Sequence, residues 1–336
     1  MNIQDIAKEL QEYIAANPNI VAQTGVYSPE ITLNKYCKTI TAVKGKFPQF
    51  NQITSRVVQG YEAKWQALGE ASFKSKKLEN FHQKVNFPVT PSEVLNTWLA
   101  FLYTEGLKAD QHPISKYIIA DLMLKTIDDL EDLSQTGEYD ALTAAGSYGS
   151  SLNGIAAVIE AALASATHPA FKIPLNAITP ENILDEVKSF EKGLPKKTRK
   201  KIKYLFMSEN LKLEFMDQYE QHYGTKVTYT DGDTIKTPLT KLEIVGLPSI
   251  PDNLIFATVE ENMIRLIDVF DKPAITDIQI LDYIVKIFME FWLGYDFMIN
   301  ELVYVAVFDG SDRGLGDAVK NALYYDSENL VVNIIT

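Results

Sequence analysis

The sequence carries one cysteine, Cys37, in 336 residues, which excludes an internal disulfide and with it a small stapled secreted scaffold. Cys37 stands in Tyr36-Cys37-Lys38 with no catalytic signature around it and reads as a structural thiol. Histidine is scarce as well. His82, His112, His168 and His222 stand far apart, and none has another His or Cys three or four residues away, so zinc-type ligand spacing is missing. Basic charge is in short supply: 32 Lys and Arg face 44 Asp and Glu, a net charge of -12, and such a surface repels nucleic acid phosphates on average. Long apolar runs are also lacking. Glu160 interrupts the stretch around Ile155–Ala166, and Glu290, Asp296 and Glu301 interrupt Ile284–Phe308, so neither reaches the ~20 clean residues of a membrane span. Residues 1–14 hold Asp5, Glu9 and Glu12 and do not show the basic-then-apolar order of a secretion signal. The chain is therefore expected in a reducing cytoplasm or in something assembled there. What is present is 46% apolar and 23% charged, enough to bury a core, and the length admits about two domains or one elaborated one.

Periodicity supplies most of the elements. Ile3, Ile6, Leu10, Tyr13 and Ile14 recur at helical spacing and stop at Asn17-Pro18, and Ser28-Pro29-Glu30 opens a second short helix. From Gln52 to Thr104 the apolar spacing loosens, with Gly60, Gly69, Pro88 and Pro91 as punctuation; this reads as extended chain that must pack on something else. Pro113 starts the clearest helix, predicted over 113–134, with Ile114, Tyr117, Ile118, Leu122, Leu124, Ile127, Leu130 and Leu133 as its stripe and Gly137 beyond its end. An alanine-rich helix is expected from about Leu152 to Ala166, and another opening at Thr179-Pro180-Glu181 and ending at Gly193. Ile202–Met207 is an apolar strand, followed by a helix capped by Ser208 and closed by Gly224. Beyond Leu239 the chain is mostly strand. Ile278–Leu293 and Phe297–Phe308 flank Gly294-Tyr295-Asp296 and read as a long antiparallel hairpin.

Few residues promise chemistry. No Gly-Lys-Ser or Gly-Lys-Thr phosphate loop occurs. Gly310-Ser-Asp-Arg-Gly314-Leu-Gly316 follows a strand and precedes a possible helix, but Val319 occupies the third glycine position of a dinucleotide turn, and the bland reading is a connector. Asp128, Asp129, Glu131 and Asp132 spread around a helix's polar face and read as solvated surface. Lys196, Lys197, Arg199, Lys200, Lys201 and Lys203 reverse the chain's charge locally; they are candidates for an anion or a neighbouring chain, against a solvated loop as the alternative. Lys74, Lys76 and Lys77, expected at the tip of the extended segment, form with Phe73 and Phe81 a second candidate contact set. No catalytic residue, metal ligand or cofactor site is expected.

The order of elements is more specific than any motif. An N-terminal arm, a polar extended excursion, one long helix, a compact α/β unit and long strands follow one another. Leu239–Thr258 reads strand, Gly-x-Pro, short link, Pro-Asp turn, strand; Lys203–Ser208 leads into a helix that ends at Tyr223-Gly224; Val285–Glu290 runs through Gly294 to Val303–Phe308. In this the chain resembles the major capsid protein of tailed bacteriophages, the Hong Kong 97-type fold, over essentially its whole length. The resemblance implies an α+β fold with an N-terminal arm at 1–51, an extended loop at 52–92, a peripheral domain at 93–139 containing the spine helix, an axial domain at 140–248, peripheral strands at 249–308 and a C-terminal segment at 309–336. It further implies a non-enzymatic subunit that forms hexamers and pentamers in an icosahedral virion shell around double-stranded DNA, touching that DNA only weakly and without a membrane. Scaffolding, portal and decoration proteins are the implied partners, with assembly in the bacterial host cytoplasm. The arm begins near Met1, so the expectation is a separate scaffolding protein or a removed segment outside this chain. Two alternatives stand beside it: an encapsulin-like shell around a protein cargo, and a soluble nucleotide-binding enzyme using the Gly310–Gly316 turn.

Overall fold

The structure, a computed structural model, describes residues 3–17, 30–54, 57–69, 71–90, 96–98, 100, 114–224, 235–268, 274–281, 284–325 and 331–335. Ser28, Pro29, His112 and Pro113 lie outside them. The first helix, α1 (Ile3–Ala16), buries Ile6, Ala7 and Leu10 and ends where Asn17 turns back onto Tyr13. The second short helix expected from Ser28-Pro29-Glu30 opens outside the described residues; within them a 3-10 turn spans Thr32–Lys35. Strands β1 (Lys38–Ile40), β2 (Lys46–Thr54), β3 (Ala71–Glu79) and β4 (Phe81–Val89) follow.

The long helix α2 (Ile114–Thr136) forms as the apolar spacing requires, with one difference on its face. Leu124 is 64% exposed, and Ile119, Met123 and Thr126 are buried instead. At 100° per residue the buried arc is centred on 115, 119, 122, 126, 130 and 133, and Leu124 falls outside it. Each Leu or Ile buried along this stripe contributes about 2 kcal/mol of burial free energy. Helix α3 (Ile155–Ala164) is shorter at both ends than expected. Then come β5 (Phe171–Pro174), α4 (Ile183–Gly193), β6 (Ile202–Ser208) and α5 (Glu209–Tyr223). Helix α4 starts three residues after Pro180, because Thr179–Asn182 closes a turn in which Asn182 Oδ1 accepts from Thr179 N. Helix α5 is capped as its sequence predicts: Ser208 Oγ accepts from Leu211 N, and Gly224 leaves the helix at a φ of 66°.

The remaining elements are β7 (Glu243–Leu247), β8 (Phe256–Val259), β9 (Met263–Ile267), β10 (Ala274–Leu281), β11 (Ile284–Phe297), β12 (Val303–Val307), α6 (Ala318–Tyr325) and β13 (Val331–Ile335). The expected hairpin around Gly294-Tyr295-Asp296 is not there. Strand β11 runs straight through these residues, its hairpin partner is β10, and β12 belongs to another sheet. Gly294 is needed for a close approach and not for a turn: a Cβ on it would lie 2.6 Å from the Glu79 carbonyl oxygen and 2.7 Å from Asn80 Cα.

Among the described residues the strands form three sheets. The first has the order β1-β9-β11-β10, and β4 also pairs with β11 from Val285↔Val89 to Leu293↔Phe81. The second has the order β5-β12-β8-β6-β7, with α4 lying beside α5 and packing on β5, and α5 packing on β6 and β7. The third is β13-β2-β3. Apolar side chains collect in two clusters. One joins α1, α2 and α3 to the first sheet, and the other joins α4, α5 and the tail helix α6 to the second. Sheet membership does not follow the boundary drawn at 248: β8 and β12 share the second sheet with β6, whereas β9, β10 and β11 lie in the first. The extended segment divides in the same way, for β4 is a strand of the first sheet while β3 belongs to the hairpin with β2.

Candidate functional site

The hairpin β2/β3 stands on an anchored corner. Asn80, the one residue between β3 and β4, is 2% exposed; its Nδ2 donates to the Val43 carbonyl and its Oδ1 accepts from Gly45 N. From there β2 and β3 pair residue by residue from Lys46↔Glu79 to Thr54↔Ala71. Side chains alternate across the pleat. One face carries Gln49, Asn51, Ile53 and Leu78, all buried. The other carries Phe50, 51% exposed, diagonally opposite Phe73, 65% exposed, with Lys77 two residues below Ser75. Beyond Thr54 the residues 57–69 are exposed throughout, with Tyr61 97% and Trp65 86% accessible. A soluble monomer rarely leaves two such rings in water.

The candidate contact set at the hairpin therefore splits. Phe73, Lys74 and Lys77 are exposed, but they lie along β3 and not at the tip, which is 57–69. Phe81 is buried in β4 against the Tyr139 ring, 4.4 Å between centroids, and offers no free surface. Lys76 turns inward. Its ammonium donates to Asp296 Oδ1 at 2.5 Å, Asn300 Oδ1 at 2.6 Å and the Phe297 carbonyl at 2.7 Å. Asn300 in turn donates to the His168 carbonyl, and His168 Nδ1 lies 3.2 Å from the buried Glu301 carboxylate. This chain of polar contacts ties the hairpin to the turn between β11 and β12.

The basic run splits too. Lys203 is held by Glu260 at 2.6 Å, whose hydrogen bond and charge raise the lysine pKa. Lys200 and Lys201 are exposed, on the short 3-10 turn Arg199–Lys201 before β6. Lys196, Lys197 and Arg199 line a cleft of about 980 Å³, joined by Lys192 from the end of α4 and Arg313 from the glycine-rich turn. Arg199 Nη2 donates to the Lys192 and Leu194 carbonyls, and Arg313 Nε to the Gly193 carbonyl, so both guanidinium groups brace the same backbone. Sequence reasoning missed Lys192 and Arg313 because the cleft joins segments about 120 residues apart.

The Gly310–Gly316 turn does enter this cleft, through Gly314. It is closed by its own acid: Asp317 Oδ1 accepts from Val319 N at the start of α6, the place an incoming phosphate would take. Among the other groups, burial pushes the Cys37 thiol up to about 12, the neighbouring Arg265 opposing. His82 stacks on Trp292 with 4.7 Å between ring centroids, and His222 is exposed. Among the described residues no helix is long and apolar enough to cross a membrane.

No protein-family model matches the sequence, and no curated protein does. Solved structures do match. A chain of the satellite phage P4 procapsid, solved with its size determination (Sid) protein, aligns over 90% of this chain and 97% of its own length, at 11% identity and a TM-score of 0.52. A chain of the cyanophage A-1(L) capsid aligns over 88% of this chain and 94% of its own, at 13% identity and a TM-score of 0.52. The fold is that of phage capsid subunits. This is the α+β, Hong Kong 97-type architecture that the order of elements implied. Identities this low leave the fold alone as the point of likeness.

Proposed function

We propose that this chain is a structural capsid subunit that assembles with copies of itself into hexamers and pentamers of an icosahedral shell enclosing double-stranded DNA. The observation that carries this reading is the hairpin tip, residues 57–69, which projects Tyr61 and Trp65 almost fully into solvent. Each ring would bury ~150–250 Å² against a partner, enough for an anchor of several kcal/mol. Phe50 and Phe73 extend the same apolar surface along the outer face of the hairpin, with Lys77 at its border, while the exposed Lys74, paired with Asn51, belongs to the opposite face. Residues 52–92 reaching over a neighbour, α2 as a peripheral spine and the second sheet gathered at the capsomer centre follow from the same reading. So do a scaffolding protein, a portal, decoration proteins and a place in the virion after assembly in the host cytoplasm. The net charge of -12 supports walls that adhere only weakly to packed DNA.

Size-exclusion chromatography and negative-stain microscopy of the purified chain test the proposal. Capsomers or closed shells are expected. Tyr61→Ser with Trp65→Ser is expected to abolish them at an unchanged melting temperature of the unassembled subunit. A chain that stays monomeric under every assembly condition, with residues 57–69 already protected from protease, refutes the reading.

A further inference from the structure

The second sheet has two edges that differ in charge. At the β5 edge lies the basic cleft, with Phe171 of β5 in its wall and Lys172 bonded to Gly314 of the bordering turn. Its lining carries five cations, Lys192, Lys196, Lys197, Arg199 and Arg313, and no carboxylate. Among the described residues no acid lies within ion-pair reach of Lys192, Lys196, Arg199 or Arg313, and Arg199 Nε is buried without an acceptor. Clustering Lys192, Lys196, Arg199 and Arg313 without a carboxylate among them raises the energy of the isolated chain, and an anion seated there relieves it.

At the other edge α5 packs on β6 and β7. Its outer side presents Glu214, Asp217 and Glu220, three residues apart in succession and therefore one stripe of the helix. None of these three forms an ion pair among the described residues; Asp217 accepts only from Gln221 Nε2. Four strand spacings, roughly 19 Å, separate the β5 and β7 edges. Among the described residues no ion pair joins Lys192, Lys196, Arg199 or Arg313 to Glu214, Asp217 or Glu220 within one chain.

We propose that the basic cleft at the β5 edge receives the acidic α5 stripe of a second copy of this chain. Such a contact is heterologous: one patch on each copy meets the other patch on the next, and a head-to-tail series closes into a ring when the rotation permits. The proposal rests on the shell reading and specifies which surfaces adjoin within a capsomer. A duplex is the poorer occupant. It needs a long basic face, and outside the cleft the chain is even more acidic than its net charge of -12. The acidic stripe, by contrast, is present at the same concentration as the cleft. Like charges also bar the cleft from facing another cleft, so the pairing sets orientation as well as affinity.

Charge reversal tests the pairing. Lys192→Glu with Lys196→Glu reverses exposed residues of the cleft, and Asp217→Lys with Glu220→Lys reverses the stripe. Each pair is expected to weaken association, read by sedimentation velocity, by about tenfold or more. The four substitutions together are expected to return it to within about threefold of the parent, at an unchanged melting temperature. The neutral Lys192→Gln with Lys196→Gln is expected to show a smaller loss, and the parent's association to weaken as salt rises. A quadruple variant as weak as either pair overturns the proposal. So does a cleft variant that assembles normally but retains less DNA in a filter-binding assay, which assigns the cleft to phosphate. A parent chain that never associates overturns the shell reading itself, whereas a parent that assembles without charge rescue overturns only this pairing.

Discussion

Replacing Lys76 by methionine keeps the apolar stem and removes an ammonium that three oxygens surround at 2.5, 2.6 and 2.7 Å. The side chains of Lys76 and Asp296 are each 13% exposed, so water screens the pair weakly. Hydrogen bonds to charged groups contribute about 1.5–3 kcal/mol, and stranding one member of a fully buried pair costs about 3–5 kcal/mol. Two effects lower that figure here. Asp296 still accepts from Phe297 N at 2.7 Å, and the freed side chain regains rotamer entropy of up to about 2 kcal/mol. The expected loss is about 2–3 kcal/mol. Lys203 and Glu260 supply the control. Their contact is 2.6 Å, nearly the same, yet their side chains are 57% and 56% exposed, which places them among water-screened surface pairs that add little to stability. Urea unfolding of the unassembled subunit, with Lys76→Met, Asp296→Asn, the double variant and Lys203→Met, separates burial from distance. The reasoning is refuted if Lys76→Met costs no more than Lys203→Met, or if the Lys76–Asp296 coupling is below about 0.5 kcal/mol.

Two further outcomes follow from the same geometry. Gly294→Ala forces a Cβ to 2.6 Å from a carbonyl oxygen and 2.7 Å from Asn80 Cα, both on backbone that cannot swing aside, and is expected to cost about 2 kcal/mol or more by thermal unfolding; an unchanged midpoint would show the close approach to be dispensable. Cys37 is raised from an ordinary 9.0 to about 12, so at pH 8 its thiolate fraction is about one in ten thousand when folded and about one in ten when unfolded. Iodoacetamide is expected to modify it roughly a thousandfold more slowly in the native protein; a native rate near the unfolded one contradicts the raised thiol of this half-buried residue. Because the folded value lies above the unfolded one, the stabilising contribution of this thiol is complete below pH 9.0 and is lost as pH rises toward 12, a loss that Cys37→Ala removes.

The elements that could be read in advance are those with short-range causes. A helix stripe repeats every three or four residues, Ser208 caps through a bond three residues on, and Asn17 closes α1 within one turn. The order of those elements already pointed to the capsid fold. The candidate surfaces were legible only in part. Exposed Phe73 and Lys77 and the basic side chains at 196–199 were found, because clustered charge and aromatic residues are visible without any fold.

Pairing over long separations decided the rest. Gly294 carries the local signature of a turn, yet the passage of β11 over Glu79 and Asn80 makes it a strand residue. Lys76 has the same lysine neighbours as Lys77 and differs only in the side of the pleat it occupies, which the register with β2 and the position of Asn300, 224 residues away, determine. Leu124 looks apolar enough for a core stripe, but the arc that α2 buries is set by what packs on it. Charge count and periodicity are properties of the chain taken a few residues at a time. Which cation is buried, which glycine is crowded and which aromatic ring is left in water depend on neighbours that only the folded topology brings near.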